Sequence, residues 1–104
     1  MIDLHCHSTA SDGTCSPSEL ITLARNARLS AVALTDHDTT CGLTEFLSTA
    51  KEQNFDGIAG IELAGRNQHQ QSFHILGLLI QPDHPELLAM TRQILCWRNE
   101  RNRA

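Results

Sequence analysis

Residues 31–38 read Ala31-Val32-Ala33-Leu34-Thr35-Asp36-His37-Asp38, four apolar residues running without a break into a polar, chemically dense turn. A short continuous apolar run suits a strand covered on both faces, as in the middle of a parallel sheet. The residues on either side extend that reading. Upstream, Ser16-Pro17-Ser18-Glu19 carries a serine cap, a proline at the first helical position and a glutamate placed to close a capping box. Leu20, Ile21, Leu23, Ala24 and Ala27 supply the buried stripe of that helix. Downstream, Leu43, Phe46, Leu47 and Ala50 recur at helical spacing until residues 54–57 break the pattern.

The pattern continues to both ends. Ile2 to His7 alternates with period two, so Ile2, Leu4 and Cys6 share one strand face and Asp3, His5 and His7 the other. Residues 57–63 read as a third strand with Glu62 near its far end. After a polar loop, residues 73–80 read as a fourth. Asp83-His84-Pro85-Glu86 reads as another capping box, opening a long helix with Leu87, Leu88, Ile94, Leu95 and Trp97 available for burial. The order β-α-β-α-β-β-α predicts an α/β protein with a largely parallel sheet, open or curling toward a barrel. The final helix reaches the chain end without a C-terminal glycine, which reads as a cut rather than a finish.

Composition narrows the function classes. The chain has 104 residues, near the common size of one domain, and a net charge of -4. Residues 1–91 are acidic, whereas Arg92, Arg98, Arg101 and Arg103 face only Glu100 at the end. Four arginines are a weak nucleic-acid footprint and read first as a solvated helix terminus. Cys6, Cys15, Cys41 and Cys96 show no C-x-x-C spacing, and no apolar run is long enough for a bilayer. A reduced, cytoplasmic protein is the economical expectation, and nothing points to a membrane or a stable protein partner. Cys6, alternating with the histidines, reads as a small apolar residue rather than a ligand.

His5 and His7 lie on one strand face, their α-carbons roughly 6.6 to 7 Å apart, close enough for both imidazoles to reach one divalent ion. Asp12, His37 and Glu62 fall at or just beyond strand ends, and His74 begins a strand. Six nitrogen and oxygen ligands from separate segments are hard to explain as core packing, because burying them unpaired costs several kcal/mol. A mixed histidine and carboxylate set suits manganese, zinc or iron, and a carboxylate such as Glu62 can bridge two ions.

The ordered run DLHCHSTASDGT (3–14), ALTDHDT (33–39), GIEL (60–63) and FHILGLLI (73–80) resembles the PHP (polymerase and histidinol phosphatase) family of metal-dependent phosphoesterases. It is nearest to the bacterial branch that hydrolyses 3',5'-nucleoside bisphosphates and trims short RNA from the 5' end. Amidohydrolase barrels also open with H-x-H but resemble it less: many bridge their metals with a lysine, and the sole Lys51 sits on a predicted helix.

The resemblance implies a distorted (β/α)7 TIM-like barrel holding up to three divalent ions, manganese favoured and zinc or iron as alternatives. His5 and His7 would hold one ion, Glu62 would bridge to a second held by His74, and Asp12 with His37 would hold a third. Asp36 and Asp38 are expected to orient ligands or to accept a proton. The implied partner is a phosphorylated small molecule, nucleotide or short RNA, hydrolysed by metal-activated water.

The family draws further ligands from late strands, so residues 1–104 are expected to be the N-terminal segment of a single PHP domain, truncated. His84 sits at a helix start and is a poor substitute, and His69 reads as solvent-exposed. The alternatives are a catalytically incomplete fragment that binds metal without turnover, or a histidinol-phosphatase or polymerase-associated module.

Overall fold

The computed structural model describes residues 1–66 and 72–103. His69 and the side chains of Leu95, Trp97, Arg98, Arg101 and Arg103 lie outside what is described. The elements are β1 (Ile2–Cys6), α1 (Pro17–Asn26), β2 (Ala31–Leu34), α2 (Leu43–Glu52), β3 (Asp56–Arg66), β4 (Ser72–Leu78) and α3 (Pro85–Arg103). The expected element order is the observed one, and the fold is α/β.

The strands form one sheet in the order β1-β2-β3-β4. β1, β2 and β3 run parallel, with α1 leading from β1 to β2 and α2 from β2 to β3. β4 runs antiparallel to β3, which corrects the expectation of a largely parallel sheet for this strand. The connection from β3 to β4 is too short for the crossover that a parallel neighbour requires. β3 is long enough to pair twice: residues 56–59 pair with β2 and residues 60–66 with β4.

α1 packs on β2 and α2 on β3, and the core lies between helices and sheet. Ile21, Ala24, Val32, Leu34, Leu43, Phe46, Ala50 and Ala59 form one buried cluster. Every residue of β2 is buried, as a strand flanked by two others and covered on both faces must be. α1 begins as its sequence directs: Ser16 accepts from the Glu19 amide while the Glu19 carboxylate accepts from the Ser16 amide. That reciprocal bonding holds the exposed Glu19 carboxyl below its usual value.

The structure refines the sequence reading at three points. Leu23 is 52% exposed and Ala27, which caps α1, is exposed too, so the buried stripe is Pro17, Ile21 and Ala24 with Leu20 partly covered. Ile2 and Leu4 are 57% and 43% exposed despite sharing a face with Cys6, because β1 is an edge strand and the helices sit over β2 and β3. At α3 the cap is His84, not Asp83: Pro85 is the first helical residue, and the His84 ring nitrogen Nδ1 accepts from the Glu86 amide at 3.2 Å.

The point where β3 leaves β2 for β4 is tightly built. A Cβ on Gly60 would lie 2.8 Å from the Thr35 methyl, 2.9 Å from the Gly77 carbonyl oxygen and 3.1 Å from the Leu34 carbonyl oxygen. Two of those neighbours are backbone and cannot rotate away. Gly60→Ala is therefore expected to cost about 1–3 kcal/mol by overpacking, read as a shift in the urea midpoint.

Candidate metal centre

The candidate ligands meet where β1 and β2 end and β3 continues past them. His37 bridges to Glu62 as a continuation of the β2–β3 ladder: the Glu62 amide donates to the Asp36 carbonyl at 3.0 Å, and the Asp38 amide donates to the Glu62 carbonyl at 2.9 Å. The two aspartates flanking His37 thus grip the backbone of Glu62 from both sides. On β4, His74 lies opposite Ala64, two residues beyond Glu62 on the same sheet face. That diagonal relation brings His74 within reach of the Glu62 carboxylate.

Glu62 is the centre of the arrangement, its side chain only 7% exposed. Its Oε1 contacts His5 Nε2 closely and lies 3.3 Å from His7 Nε2. Its Oε2 lies 3.1 Å from His37 Nδ1 and 2.8 Å from His74 Nδ1. Asp12 is the second carboxylate, with Oδ1 3.1 Å from His7 Nδ1 and Oδ2 3.1 Å from His37 Nε2. Burial pushes the Glu62 carboxyl upward, but hydrogen bonds from His5 and His74 and the charge of the facing histidines outweigh it, leaving the group below its ordinary value.

Three groups of side chains have converging ligand atoms: His5, His7 and Glu62; His7, Asp12 and His37; and His37, Glu62 and His74. Each pair of groups shares one residue, and a carboxylate shares readily because it has two oxygens. An imidazole has only one lone pair unless it is fully deprotonated, so His7 and His37 each belong to one ion at a time. Among the described residues the donors therefore fall short of four ligands for each of three ions.

The residues fit a divalent cation on two counts. His7 Nδ1 is buried and makes no hydrogen bond, although Asp12 Oδ1 is near: the separation is short but the alignment is wrong for N–H···O. An orphaned buried nitrogen facing a carboxylate is what a cation between them would resolve. In addition, one buried carboxylate faces four imidazole nitrogens, and any unprotonated one would point its lone pair at an oxygen. Cys6 stays out of the set: burial, then a hydrogen bond and repulsion from Asp3, push its thiol up to about 12.

Asp36 has a different placement. Its carboxylate, 2% exposed, accepts from the Ser8 amide and hydroxyl, both at 2.6 Å, and from the Ser11 hydroxyl at 2.7 Å. It ties the 8–13 loop, which carries Asp12, to the end of β2. Asp38 adopts a left-handed backbone at φ 53°, tolerated by aspartate, and its Oδ1 accepts from the Ala64 amide at 2.8 Å. Gly13 completes the loop, since a Cβ there would lie 2.2 Å from the His7 carbonyl oxygen.

The sequence names the six side chains that converge here but not the hydroxyls that hold Asp36. Ser8 and Ser11 lie in a run of small polar residues that reads as ordinary loop, and nothing local reveals a partner 28 and 25 residues away.

The fold and the site together define a class. The PHP domain family model matches residues 3–96, and the chain belongs to that family. Among curated proteins it is 40% identical over 99 residues to a 5'-3' exoribonuclease of Haemophilus influenzae, covering 95% of this chain and 36% of that protein. It is also 40% identical over 105 residues to a 3',5'-nucleoside bisphosphate phosphatase of Chromobacterium violaceum, covering 98% of this chain and 35% of the relative. Among solved structures, an amidohydrolase from Chromobacterium violaceum with bound sulfate and no metal superposes with a TM-score of 0.88 at 39% identity, covering 98% of this chain and 36% of that one. The four-stranded sheet and its helices are therefore part of a TIM-like PHP barrel. The chain spans about a third of the length of these relatives. Among the described residues no helix is long and apolar enough to cross a membrane.

Proposed function

We propose that this chain supplies the metal-holding part of a phosphoesterase that hydrolyses phosphate esters of nucleotides, namely 3',5'-nucleoside bisphosphates or the 5' ends of short RNA. The observation that carries the reading is Glu62, a buried carboxylate facing four imidazoles from three segments, two at each oxygen. The names of the relatives supply the substrate class.

His5, His7, Glu62 and His74 would hold ions along Glu62, and Asp12 with His37 would hold one beside them. Manganese is favoured, with zinc and iron as alternatives. Bound divalent ions supply polarisation of phosphate oxygens and a water acidic enough to ionise near neutrality. The protein's own part is placement. Asp38 and the carbonyl of Asp36 fix Glu62 against His37, and the Asp36 carboxylate fixes the loop carrying Asp12. Buried and accepting three hydrogen bonds from Ser8 and Ser11, the Asp36 carboxylate acts as a positioning residue rather than a proton acceptor.

In its manganese-loaded full-length form, the protein is expected to release inorganic phosphate from adenosine 3',5'-bisphosphate, with loss on chelation and recovery on adding metal. Release from no phosphate ester, or release indifferent to chelation, contradicts the reading.

A second reading concerns residues 1–104 alone: the N-terminal segment of a single PHP domain, binding metal without turnover. It is favoured by the exposed apolar residues of edge strand β1 and by the shortage of donors for three ions. Bound metal without phosphate release from the 104-residue chain, beside activity in a longer form, supports it.

A further inference from the structure

Beside the group of His7, Asp12 and His37 lies an open cavity of about 570 Å3, within the range of small-molecule sites. Ser11 and Asp12 line it from the 8–13 loop, His37 and Asp38 from the turn after β2, and Thr91 and Arg92 from α3. Thr91 spends its hydroxyl on the Leu88 carbonyl at 2.9 Å. Arg92 is exposed and makes no ion pair among the described residues. It is the one permanently charged cation among the described lining residues, facing a cavity that also carries two carboxylates.

That charge pattern bears on what the cavity can take. Asp12 and Asp38 alone would repel an anion, whereas a divalent ion held by Asp12 and His37 reverses the sign at that end. A substrate with one phosphate is neutralised there. A substrate with two brings a second anion into the same cavity, where Arg92 is the cation among the described lining residues that can meet it. A guanidinium matches two phosphate oxygens with a planar fork, a geometry that lysine lacks.

We propose that Arg92 binds the second, non-reacting phosphate of a bisphosphate substrate and so sets the preference for that class over monophosphates. The inference rests on the phosphoesterase reading above and adds a residue to it.

The test compares kcat/KM of the full-length, metal-loaded protein on adenosine 3',5'-bisphosphate and on 4-nitrophenyl phosphate, which carries a single phosphate. Arg92→Ala is expected to lower the ratio of the two by about tenfold or more, the equivalent of losing a charge-assisted pair. Arg92→Lys recovers part of it, and Arg25→Ala, on the last turn of α1, leaves it unchanged. A ratio moved by less than threefold in Arg92→Ala overturns the proposal and shows a solvated helix arginine. If the parent protein hydrolyses neither compound, the phosphoesterase reading falls on its own. Calorimetric binding of adenosine 3',5'-bisphosphate to the manganese-loaded parent and Arg92→Ala then decides the arginine's role: equal affinities overturn it, and a tenfold loss supports it.

Discussion

Replacing Glu62 by glutamine is expected to weaken divalent-metal binding by at least about 100-fold, above the 10- to 100-fold typical of residues that only support a ligand. The substitution keeps the shape and one oxygen but removes the charge around which four imidazoles are arranged. It also puts an amide N–H2 where a second acceptor was, facing nitrogens that themselves need an acceptor. Titration calorimetry with Mn2+ and metal analysis after desalting both read the effect. His84→Gln, whose ring caps α3 and belongs to none of the three ligand groups, serves as the control that changes nothing. A loss smaller than tenfold in Glu62→Gln would show that the histidines bind without a bridging carboxylate.

Asp36→Ala carries the other large effect, and it acts on stability. Three donors from Ser8 and Ser11 converge on that carboxylate in a buried setting, and alanine leaves them without an acceptor. Each hydrogen bond to a charged group contributes about 1.5–3 kcal/mol, and an abandoned buried donor adds its own desolvation penalty. We expect a loss of about 3 kcal/mol or more, which in a chain of this size lowers Tm by roughly 12 °C or more. Ser11→Ala, removing one partner at the partly buried end, is expected to lose about a third as much. A Tm change below about 4 °C for Asp36→Ala would mean that the 8–13 loop is held by something other than this carboxylate.

These two residues also mark what could be read from the sequence. Ala31 to Leu34 followed by a polar turn announces a buried strand that delivers chemistry at its end, and the structure has both. The helix signals at Ser16 to Glu19 are local, reciprocal and sufficient. What covers a strand was not legible. Ile2 and Leu4 alternate correctly yet stay exposed, since alternation reports which face a residue is on and not whether anything packs against it. The antiparallel direction of β4 follows from a connection length that hydrophobic periodicity does not encode. At the site, the candidate ligands stood out because metal chemistry restricts such groups to a few side chains, and the structure brings these six together. The partners of Asp36 did not stand out, because they come from a loop whose fold is itself set by the contact.

The most direct test of the account is crystallography of the manganese-loaded protein with anomalous scattering recorded for the metal. The expected map has a peak within ligand distance of a Glu62 oxygen and of at least two of His5, His7, His37 and His74. Anomalous density at the cysteines or at His84, with none against Glu62, would contradict it.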